Sequence, residues 1–163
     1  MSNIKRLLEI IEHTPDCKIM KSSEMPSLPN EIQMPDDLKE FYRLCGGAIL
    51  FENQEYGFQI VEPQDFVLAN PVIVGELCEE DISSKWYIIC KDSNQDCITI
   101  DLSKERNGRC YDSFWDRHGV VGECSIVANS FTDLVINLLN AKGKNLYWLE
   151  DTFNYLGDAY DDI

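Results

Sequence analysis

The stretch WYIICKDSNQDCITIDL, residues 86–102, decides the fold. Two runs rich in β-branched and aromatic residues, 86–91 and 97–102, flank the polar turn Asp92-Ser93-Asn94-Gln95-Asp96. Apolar runs of this length bounded by turn residues read as two strands of a β-hairpin. Working backwards, residues 48–52 and 56–61 read as a shorter hairpin around Asn53-Gln54-Glu55. Working forwards, residues 109–115 follow the turn-like Arg106-Asn107-Gly108 and read as a further strand. Val120, Val121, Ile126 and Val127 are less regular and read as edge strand or loop.

Helical patterns bracket this run of strands. Ile4, Leu7, Leu8 and Ile11 form one apolar stripe after a cap at Ser2 or Asn3, and Pro15 ends it. Pro35-Asp36-Asp37 starts a second helix, with two carboxylates near the positive end of its dipole and Leu38, Phe41, Tyr42 and Cys45 on one face. Gly46-Gly47 stops it. Ser130 then precedes Phe131, Leu134, Val135, Leu138 and Leu139 at helical spacing, with a stop near Gly143. The order helix, helix, strands, helix reads as α+β: an antiparallel sheet of about five to six strands with helices packed on one face. No repeat or low-complexity linker interrupts residues 1–163, which read as a single domain ending in an acidic, aromatic tail at 148–163, either a partly ordered helix or an acidic appendage.

Charge narrows the partners. The chain has 29 acidic and 14 basic residues, a formal net charge of −15. Such a field repels nucleic acid and anionic membrane and steers basic proteins toward the surface. Seven cysteines without a Cys-x-x-Cys pair, and no long apolar run, are expected of a cytoplasmic chain whose thiols are mostly small core hydrophobes.

Candidate chemistry is thin. Asp116, His118 and Cys124 could be drawn as a carboxylate-imidazole-thiol set, but sequence neighbours seldom meet that geometry. Asp92-Ser93-Asn94-Gln95-Asp96 imitates the start of a calcium loop, then fails at Cys97, where glycine is wanted, and at Ser103, where a bidentate glutamate is wanted. No phosphate loop surrounds Gly46-Gly47, and no cofactor or metal is implied. Trp86, Trp115 and Trp148 are more often core than ligand platform. An enzyme is therefore not expected.

Several of these markers, in order, resemble the SUKH superfamily, which joins fungal regulators of cell-wall synthesis to bacterial immunity proteins. They are Leu28-Pro29, Leu38-x-x-Phe41-Tyr42-x-x-Cys45-Gly46-Gly47, Trp86-x-x-Ile89-x-x-Asp92, Asp96-Cys97-Ile98-x-Ile100-Asp101-Leu102 and Ser130-Phe131-x-x-Leu134. The resemblance spans about residues 20–140. Cys45 and Asn94-Gln95 depart from the family's usual Asn and Gly, both at turns. The resemblance implies a SUKH-like α+β domain that binds and neutralises a cognate toxin, in many cases a nuclease, with a regulatory interaction scaffold as the alternative. A nuclease is basic enough to hold phosphates, so carboxylates facing it would steer association and block its substrate. The candidate contacts are Glu79, Glu80, Asp81, Trp86, Asp92, Asp96, Asp158, Asp161 and Asp162.

Overall fold

A computed structural model describes residues 2–22 and 24–161. Seven strands lie in sequence order across one antiparallel sheet: β1 (Lys18–Ile19), β2 (Ala48–Leu50), β3 (Phe58–Ile60), β4 (Trp86–Lys91), β5 (Cys97–Asp101), β6 (Cys110–Ser113) and β7 (Ile126–Ala128). The sheet is one strand wider than the upper expectation. The additional strand is β1, two residues that pair with Ile49 and Ala48. A pair this short carries no alternating pattern of its own and is defined only by its partner.

Four α-helices lie among the described residues: α1 (Asn3–Glu12), α2 (Asp36–Leu44), α3 (Ala69–Ile73) and α4 (Phe131–Ala141). The Ser2 side chain accepts from the Lys5 amide and Ser130 from Asp133, so two of the helix starts are capped by the hydroxyls the sequence offers. Asp37 ties α2 to the first turn of α4, accepting from the Thr132 amide and hydroxyl at 2.9 and 2.8 Å. Gly47 has a φ of 122°, and a Cβ there would lie 2.7 Å from the Ile60 carbonyl oxygen, so only glycine lets α2 turn directly into β2.

Cross-strand register sorts the sheet into two faces. Ala48, Leu50, Phe58, Ile60, Cys90, Ile98, Ile100 and Cys110 point together toward Ile4, Leu7, Leu38, Phe41, Phe131 and Leu134 of α1, α2 and α4. The opposite face carries Trp86, Thr99, Asp101, Tyr111 and Ser113. Its buried apolar part is a small second cluster of Trp86, Tyr111, Cys124, Ile126 and Ala159.

The expected tail is a folded strap. The Ile126 amide donates to the Gly157 carbonyl at 2.8 Å and the Ala159 amide to the Cys124 carbonyl at 2.9 Å, so residues 157–159 lie along the outer edge of β7 and cover it. The acidic character of the tail is real, but Asp158 and Ala159 are buried.

Candidate functional site

Each buried tryptophan is pinned by a buried aspartate that also holds an arginine. The Asp101 carboxylate accepts from Trp86 Nε1 (3.2 Å), the Tyr111 hydroxyl (2.6 Å) and Arg106 Nε (3.2 Å). On the helical face, Asp112 accepts from Trp148 Nε1 at 3.0 Å and Arg117 at 2.7 Å. Neither tryptophan presents surface to a partner: Trp86 is 0% exposed and stacks on Tyr111 with ring centroids 4.1 Å apart. Trp86 therefore leaves the set of candidate contacts, and a stacked indole with its N–H satisfied is core chemistry.

Most of the candidate carboxylates are occupied by backbone. Asp92 accepts from the amides of Asn94 and Asp96 at 2.8 and 2.9 Å, which makes the β4–β5 turn and explains its mimicry of a calcium loop. Among the described residues no cluster of His, Cys, Asp or Glu could hold a metal ion. Asp81 caps the 3-10 turn Ile82–Lys85 through Ser83 and accepts from the Tyr160 hydroxyl at 2.8 Å. Burial alone would raise its pKa, and these hydrogen bonds reverse the effect and lower it. Asp158 is buried and accepts from the amides of Gly122 and Tyr160, both at 3.1 Å. Glu79, Glu80 and Asp161 are exposed. Asp162 lies outside the described residues.

The acids fall into two groups at opposite ends of β4. The Tyr160–Asp81 bond brings the strap, with Asp158 and Asp161, to the turn of Glu79, Glu80 and Asp81 before the strand. Asp92 and Asp96 follow the strand at the other end. The β6–β7 loop runs between them: the Trp115 amide donates to Asp96 at 3.1 Å, and Gly122 donates to Asp158. Between these ends, His118 Nε2 meets Asn70 Oδ1 at 2.6 Å and its ring stands edge-on to Trp86. Burial pushes the His118 pKa down to about 4, partly opposed by the Asp81 carboxylate.

This loop also holds the residues drawn above as a catalytic set. The Cys124 thiol donates to the Asp112 carbonyl at 3.3 Å, and burial pushes its pKa up to about 12. His118 donates from Nε2 to the Asn70 amide oxygen, which leaves Nδ1 as the basic nitrogen, and that atom is buried with no hydrogen-bond partner, the Cys124 thiol included, while Asp116 is exposed. A nucleophilic thiol needs a depressed pKa and an adjacent base, and Cys124 has the opposite environment.

Trp115 departs from the expectation that a tryptophan is more often core: it is 78% exposed, and Val121 in the same loop is 73% exposed. β6 ends at Ser113, short of the expected 109–115, and the Arg117 and His118 amides donate to the Phe114 carbonyl, so the chain turns at Trp115 and carries it out of the sheet.

A seven-stranded antiparallel meander backed by helices on one face, with a net charge of −15, defines an acidic α+β domain. The chain belongs to the SMI1 / KNR4 family (SUKH-1), whose model matches residues 30–137. It is 53% identical over 161 residues, covering 99% of this chain and 98% of the relative, to Immunity protein YokJ of Bacillus subtilis (strain 168). No solved structure matches the chain.

Proposed function

We propose that the chain is an immunity protein of the cytosol that binds a cognate toxin stoichiometrically and covers its active site, and that the toxin is a nuclease. The observation carrying the reading is the 53% identity to an immunity protein along nearly the whole of both chains. The net charge of −15 supports the nuclease assignment, because a surface that holds phosphates attracts carboxylates as well. Glu79 and Glu80, exposed at one end of β4, supply carboxylates for that contact; the exposed Asp161 beside them keeps one oxygen on the Asp158 amide, and the half-buried Asp96 at the other end keeps one on the Trp115 amide, so each of these two offers its second oxygen.

The test is co-expression with the toxin encoded by the adjacent gene. Growth is restored when the chain is present, and the purified toxin degrades RNA or DNA only when the chain is left out. Continued lethality defeats the immunity reading. Rescue from a toxin that leaves both nucleic acids intact defeats the nuclease assignment alone.

A further inference from the structure

The β6–β7 loop is held at several points from below while its apolar side chains face outward. Trp115 is fastened through its amide to Asp96, Arg117 through its guanidinium to Asp112 and across the Phe114 ring at 5.1 Å, His118 to Asn70, and Gly122 to Asp158. Three of these fasteners, Asp112, Asn70 and Asp158, are buried. A loop so constrained has its conformation fixed before any partner arrives, and the ordering that association normally requires is already done. Trp115, Val120 and Val121 nevertheless remain exposed, in the same loop as the exposed acids Asp116 and Glu123. An exposed tryptophan and exposed aliphatic side chains on a backbone already fixed, with acids in the same loop, are the composition of a binding hot spot and its rim.

We propose that residues 115–123 are the gripping element of the complex: Trp115 and Val121 enter an apolar recess on a cationic face of the toxin, and Asp96, Asp116 and Glu123 pair with the cations around that recess. The proposal rests on the immunity reading above and adds the surface to it. The partner's positive charge follows from complementarity with these acids and with the −15 net charge of the chain. Anchoring by Trp115 also places both acidic groups against the partner, since the loop spans from Asp96 to Asp158.

The experiment uses the full chain and the inactivated toxin domain of the adjacent gene, with affinity measured by calorimetry. Trp115→Ala and Val121→Asp should each weaken binding by about 30-fold or more, the loss expected on removing a hot spot. Both side chains are exposed, so thermal unfolding should match the parent chain, and Ile10→Asp on α1 should bind as the parent does. The emission of Trp115, the exposed tryptophan among two buried ones, should shift to the blue on complex formation. The association rate should fall steeply with added salt. If the parent chain binds and both loop variants bind equally well, the surface is wrong and the immunity reading stands. If the rate ignores salt, the partner face is not cationic. If the parent chain itself fails to bind, the reading and the surface fall together.

Discussion

The indole nitrogen of Trp86 donates to the carboxylate of Asp101, its cross-strand partner, at 3.2 Å within the sheet face turned away from α1, α2 and α4. Tyr111 and Arg106 donate to the same oxygen, and the Ser103 amide donates to the other at 2.9 Å. One buried carboxylate thus organises two rings, a guanidinium and the turn after β5. Replacing Asp101 by Asn removes the charge that Arg106 faces and, with the remaining oxygen kept toward the three donors, sets an NH2 against the Ser103 amide. The expected loss is about 3–5 kcal/mol, as for breaking a buried pair from one side. Urea unfolding measures it, and a change under about 1 kcal/mol would show that Asp101 is not the organising group.

His118 makes stability depend on pH. Its folded pKa of about 4 lies below the ordinary 6.5, so between these values the unfolded chain binds a proton that the folded chain excludes. Stability is therefore full above about pH 6.5 and declines as the pH falls toward 4, by up to about 3 kcal/mol from this residue. The groups around the ring are Asn70, Trp86 and Asp81, of which only Asp81 carries charge. His118→Gln should flatten the unfolding curve in this window relative to the parent chain. An identical slope in both proteins would mean that the imidazole takes up its proton over the same pH range folded and unfolded.

Thiol reactivity separates packing from chemistry. Cys45, Cys90, Cys97, Cys110 and Cys124 are buried, and burial raises the pKa of each. Cys17 and Cys78 are partly exposed. In the native protein an aromatic disulfide reagent should label these two, and the other five only in denaturant. Rapid native labelling of Cys124 would show that the β6–β7 loop opens.

Periodicity exposed the elements that close their own pattern. The stripe from Phe131 to Leu139 became α4, and the runs around Asp92–Asp96 became β4 and β5, because strand, turn and strand adjoin in sequence. What the sequence hid depends on distant partners. Lys18 and Ile19 are a strand only because Ile49 and Ala48 accept them. The burial of Trp86 and the exposure of Trp115 follow from where Asp101 and Asp96 fall across the sheet, and neither tryptophan's neighbours in sequence reveal that. The carboxylates were legible as acidic residues but not as turn and cap acceptors. Asp81, Asp92 and Asp158 each fold back on nearby amides, the usual habit of short acidic side chains, and this removes them from the free surface.

The strap gives the last prediction. Residues 157–159 supply the outer partner for the edge at Cys124–Ile126, and Ala159 closes the cluster of Trp86, Tyr111, Cys124 and Ile126. Ending the chain after Leu156 would leave amide and carbonyl groups of that edge unpaired and open the cluster to water. A bare, partly apolar edge is a template for pairing with another copy, so the truncated protein should unfold at lower temperature and aggregate. The milder Asp158→Ala leaves the strap in place but strips the acceptor from the Gly122 and Tyr160 amides, with an expected loss of about 1–3 kcal/mol. Thermal melts with light scattering distinguish the two effects. If the truncated chain melts as the full chain does and stays monomeric, the strap is an appendage after all, and the loop's fastening to Asp158 adds nothing to its rigidity.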